Sequence, residues 1–106
     1  MTCFTDYRDH VPELGTRVAK ATLFQSGRLL LGLNALGPDV EQAVHTHDDQ
    51  DKFYHVLEGR GEFTVGDTVR EAGPGEVVWA PAGVEHGVRN RTGSRVVLLV
   101  GIAPSP

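Results

Sequence analysis

The chain has 106 residues, 40% of them hydrophobic and 23% charged, which suits one modest domain with a small core. A formal net charge of −4 and the lack of a long basic run argue against nucleic acid or an anionic membrane as a partner. With Cys3 as its one cysteine, no stretch of roughly 18 apolar residues, and no basic-then-apolar leader, it is expected to be a cytoplasmic protein without internal disulfides or membrane spans.

Gly and Pro punctuate short runs rich in Val, Leu, Phe and Thr. This is the pattern of an all-β sandwich or barrel. Residues 1–15 read as an arm with little regular structure. "TRVAKATLFQ" and "GRLLLGLNAL" are strands parted by Ser26-Gly27. After a turn at Pro38-Asp39, "QAVHTH" and "KFYHVLEG" follow. "GEFTV" and "TVREA" flank Gly66-Asp67, a loop suited to a tight hairpin because Gly accepts positive φ at its first position. "EVVWA", "EHGVRN" and "RVVLLVGI" complete the set, and residues 103–106 are a loose tail. Barrel core is expected over about 16–102. A domain this small buries little surface alone, so a homodimer is expected.

"HTHDDQDKFYHVLEG" (45–59) holds the first chemistry. His45 and His47 stand at i and i+2, and alternate residues of a strand share a face. Two imidazoles aimed at one point are good ligands for a first-row transition metal, though two histidines so spaced also arise by chance on polar surfaces. "GEVVWAPAGVEHGVRN" (75–90) adds a strand, a Pro-Ala-Gly turn and a third histidine, His86.

In these two segments the chain resembles a small single-domain cupin. Gly75, Pro81, Gly83, His86 and Asn90 match every fixed position of that family's second motif. His45, His47 and Gly59 match its first motif, whose leading glycine is displaced to Gly37 and whose glutamate is missing. The resemblance covers about residues 16–102. It implies a double-stranded β-helix, a jelly-roll barrel of antiparallel strands. It also implies a divalent metal (iron, manganese, nickel, copper or zinc) on His45, His47 and His86.

The glutamate position falls on Lys52, or on Asp51 by the shorter spacing. A protonated lysine has no lone pair to give a metal. Four arrangements answer this. Asp51 ligates through a bulge. Or three histidines suffice, and Lys52 bends away to pair with Asp48, Asp49 or Asp51. Or Lys52 faces the cavity and anchors an anionic substrate. Or no metal binds. The second and third together fit best.

Lys52 and Tyr54 share a face and are the candidate catalytic positions, though Tyr54 suits filling the barrel slightly better than binding substrate. His55 then points out. Glu85 can orient His86 but reads better as a solvated loop acid. Trp79 and Phe63 read as core, and Cys3 as inert. The family resemblance allows dioxygenases, isomerases and decarboxylases acting on small organic molecules. The alternative is a barrel that binds a sugar or organic acid without turnover, with Lys52 as anion anchor and no metal. A third possibility is a packed dimeric scaffold.

Overall fold

In the computed structural model, which describes residues 2–106, the chain forms nine strands in two antiparallel sheets. They are β1 (Ala19–Gln25), β2 (Leu30–Leu36), β3 (Glu41–His45), β4 (Asp51–Glu58), β5 (Gly61–Val65), β6 (Thr68–Ala72), β7 (Val77–Ala80), β8 (His86–Arg89) and β9 (Val96–Ala103). One sheet runs β1-β2-β9-β4-β7 and the other β3-β8-β5-β6. Each strand falls inside or within a residue of a segment bounded in the sequence by Gly, Pro, Asp or Ser. The arm holds one short 3-10 turn, Tyr7–Asp9. Tyr7 ties it down by donating to the Glu58 carboxylate at 2.9 Å.

The two sheets close on an apolar core that includes Leu36, Tyr54, Val56, Phe63, Val88 and Leu98. Alternation on β4 is clean. Lys52, Tyr54 and Val56 are buried, while Phe53, His55 and Leu57 on the other face are half-buried. The outer face of the first sheet is also apolar near β7. Phe53 lies over Gly101, whose position leaves no room for a Cβ. Beside it Trp79 is 55% exposed. The expectation that Trp79 is core is therefore corrected. β7 is an edge strand, and its register pairs Trp79 with Phe53 on the outward side.

Two glycines bring strands close together. Gly59 adopts φ +76°, and a Cβ there would strike the Arg95 carbonyl. Gly87 follows His86 and lies against the backbone of Gln42 and Val44, where a Cβ would collide. That contact lets β3, bulged between Gln42 and His45, lie close on β8.

Asn90 is a structural knot. It is fully buried, and its Nδ2 donates to the carbonyls of Leu36, Gly37 and Ser94 at 2.8–3.1 Å. Its Oδ1 accepts from the backbone and hydroxyl of Thr92. Asn90→Ala leaves these buried groups unpaired and is expected to cost about 2–4 kcal/mol. Urea unfolding followed by circular dichroism measures it, and a cost below about 1 kcal/mol contradicts this role.

The final residues, expected to be loose, are tied at two points. Gln25 donates to the Ser105 hydroxyl at 2.8 Å, and Gln50 donates to the Pro104 carbonyl at 3.1 Å.

Candidate metal centre

Two strands and a loop build the site. His45 ends β3 and sits directly opposite His86, which opens β8. His47 lies just past β3, its carbonyl held by the Gly83 amide at 2.9 Å. Residues 41 positions apart in sequence (86 − 45) thus become neighbours. The ring centroids of His45 and His86 are 4.4 Å apart, those of His45 and His47 4.8 Å, and those of His47 and His86 5.6 Å. One ring nitrogen from each lies within 4.8 Å of the others.

The hydrogen bonds set which nitrogens are free. His45 Nδ1 lies 2.7 Å from the Ala43 carbonyl, and His86 Nδ1 lies 3.0 Å from the Val84 carbonyl. A carbonyl only accepts, so in the neutral rings Nδ1 carries the proton and Nε2 keeps a lone pair. His86 is 1% exposed, and its Nε2 is buried with no partner among the described residues. A buried polar atom left unpaired costs stability unless something outside the chain satisfies it. The residues present therefore fit a metal ion, with backbone carbonyls orienting two of the rings.

Burial lowers the pKa of His47, reinforced by the nearby positive charges of His45, Lys52 and Lys20. Burial also lowers that of His86, against the pull of the Val84 hydrogen bond. Both shifts favour the neutral, ligating form.

The carboxylate expected beside such histidines is absent from the cluster. Asp51 is exposed, and its Oδ1 accepts from the Ala82 amide at 2.9 Å. β4 runs without a bulge through Asp51 and Lys52, so no slip turns Asp51 inward. Lys52 does not bend out to an acid either. It is 4% exposed, with its Nζ 4.8 Å from the centroid of the Tyr54 ring. Burial first, and the charge of Lys20 second, bring its pKa down to about 8. Lys52 can thus shed the proton that would set it against a metal.

Tyr54 is fully buried, and burial raises its pKa. Its hydroxyl donates to Gln42 Oε1 at 2.9 Å. The ring packs 5.3 Å from Phe63, centroid to centroid, so Tyr54 both fills the barrel and fixes Gln42. Glu85 is exposed, and the orienting contact to His86 comes from Val84 instead. His55 lies on the opposite face of β4 from Lys52, away from the cluster.

Beside the histidines opens a cavity of about 430 Å³, lined by Lys20, Gln42, His45, His47, Gln50 and Lys52 among others. A further space of about 220 Å³ adjoins it, sharing Lys20, Lys52, Ile102 and Pro106 and reaching Asn34 and Val100. Lys20, Asn34 and Gln42 did not emerge from the sequence. They reach the cavity through cross-strand register, which no local pattern reports. A separate recess of about 240 Å³ near Phe63 and Val78 contains no histidine, and its Arg70 and Glu76 are within ion-pair distance of each other at 3.5 Å.

The cupin domain family matches residues 33–102. The chain belongs to the cupin family. This cupin is 41% identical to a protein from Thermus thermophilus of known crystal structure, with a TM-score of 0.93 over 97% of this chain and 98% of that one. It also superposes on a double-stranded β-helix protein of Klebsiella pneumoniae, with 18% identity, a TM-score of 0.90, and 98% and 91% of the two chains covered. At that identity the likeness shows the fold alone. An uncharacterised protein of Streptomyces coelicolor is 35% identical over 74 residues, 70% of each chain. The jelly-roll expectation is met.

Proposed function

We propose that this cupin holds a divalent transition metal on His45, His47 and His86 and acts as a dioxygenase on a small organic molecule. The observation that carries the reading is His86 Nε2, buried, unpartnered and grouped with two further imidazoles. An ion held by only three protein ligands keeps positions open for substrate and dioxygen, and polarises what binds there.

The chain's own groups do the rest. The Ala43 and Val84 carbonyls keep Nε2 of His45 and His86 unprotonated. Lys52 offers a buried amine able to hold a proton or give it up near pH 8. Tyr54 fixes Gln42, whose amide lines the cavity. The apolar wall of Ile102 and Val100 limits water beside the bound molecule.

The test is aerobic oxygen uptake by protein stripped and reloaded with single metals, screened against diketones, thiols and phenols. Iron-loaded protein is expected to consume oxygen with at least one class, and His86→Ala protein with none. No uptake under any metal sinks the dioxygenase reading. The second reading is then a non-catalytic binding barrel, favoured by the unpaired charge of Lys52. Its signature is a raised melting temperature with a ligand and no product formed.

A further inference from the structure

We propose that the barrel selects small carboxylate anions, gripped by Lys20, Lys52 and Asn34 where its two adjoining cavities meet. This rests on the reading that the histidine-lined cavity is the ligand site, and it names the class of ligand.

The protein as a whole is acidic, with 14 Asp and Glu against 10 Lys and Arg. The cavity reverses that balance. No Asp or Glu lines either space, and two lysines line both. Lys20 on β1 stands opposite Asn34 on β2, and Lys52 comes from β4, across β9. All three belong to the inward face of the first sheet. None of the ion pairs among the described residues includes Lys20 or Lys52. Lys52 is almost wholly removed from water, so its charge lacks both solvent and counter-ion. An anion between the two ammonium groups would neutralise both and relieve their repulsion.

The donors favour a carboxylate over a phosphate. No arginine lines the cavities, and no glycine-rich loop offers a cradle of amides. Two point charges and one amide suit a flat, two-oxygen head group. Leu30, Val100 and Ile102 give a short aliphatic tail an apolar wall.

The test uses metal-free protein, so it does not depend on whether a metal binds. Metal content, measured separately, decides that question alone. Calorimetric titrations compare butyrate, its neutral isostere butyramide, and inorganic phosphate. Butyrate is expected to bind roughly tenfold or more tightly than butyramide. Lys52→Met and Lys20→Met are each expected to weaken butyrate by roughly tenfold or more while leaving butyramide unchanged, and Lys52→Arg should retain most of the affinity. Lys20 is exposed, so its variant decides the matter even if Lys52→Met folds poorly. The proposal is overturned if butyrate fails to bind, if butyramide equals it, if phosphate binds more tightly, or if Lys20→Met has no effect.

Discussion

Lys52→Met is expected to stabilise the metal-free protein at pH 7 by about 1–3 kcal/mol. Most charge removals on a protein surface do little, but this charge is inside. Its pKa falls from 10.5 to about 8, chiefly because burial strips its water. Such a shift means that holding the proton in the folded state costs about 3 kcal/mol relative to the unfolded chain. The face of Tyr54, 4.8 Å from Nζ, offsets part of that. Methionine keeps most of the apolar stem, one atom shorter, and removes the charge. The pH dependence follows. Between about pH 8 and 10.5 the unfolded chain still holds a proton that the folded chain has released, so wild-type stability rises with pH across that window. Urea midpoints of both proteins from pH 7 to 10.5 should converge at the alkaline end. A Met variant that is less stable at neutral pH, or a gap that ignores pH, defeats the assignment.

His86→Ala is expected to lower metal affinity by more than about a hundredfold, beyond the loss typical of groups that only orient a ligand. Elemental analysis after equilibrium dialysis should find near one ion per wild-type chain and almost none in the variant. In wild type a metal held at about a hundred times its dissociation constant adds about 2.7 kcal/mol, so a raised melting point appears there and not in the variant. Acid should work against both the site and the fold. His47 and His86 are held below the ordinary value of 6.5 by burial. As pH falls through about 6.5, the unfolded chain takes up protons before the folded chain does, and metal-free stability declines. Metal affinity drops further down, once the folded imidazoles themselves protonate. A site whose affinity is flat from pH 8 to 4.5 would not be a histidine site.

Much of this was written in local sequence. The strands announce themselves because each lies between turn-forming residues, and a two-residue period tells inside from outside once one residue of a strand is placed. That is how Lys52 and Tyr54 share the interior while His55 does not. Spacing alone marks only His45 and His47; the trio with His86 is legible through the resemblance to the two cupin motifs. What local sequence does not carry is which strands lie side by side. Lys20, Asn34 and Gln42 reach the cavity only through pairing across the sheets. The same gap explains Trp79. "EVVWA" is as apolar as a central strand, but β7 ends its sheet and turns Val77 and Trp79 outward. Asp51 fits the motif by counting residues, and only a bulge in β4 would have let it serve.

The placement of Trp79 also has an optical consequence. It is the sole tryptophan, so it dominates the protein's intrinsic fluorescence. Its indole already meets water in the folded state, and emission should shift little when the chain unfolds. The histidine-lined cavity does not include it, so a ligand filling that cavity would pass largely unseen. A second copy seated on the outer face of the first sheet would dry the ring, and the emission would move to the blue as protein concentration rises. The fluorescence of this barrel reads its outside.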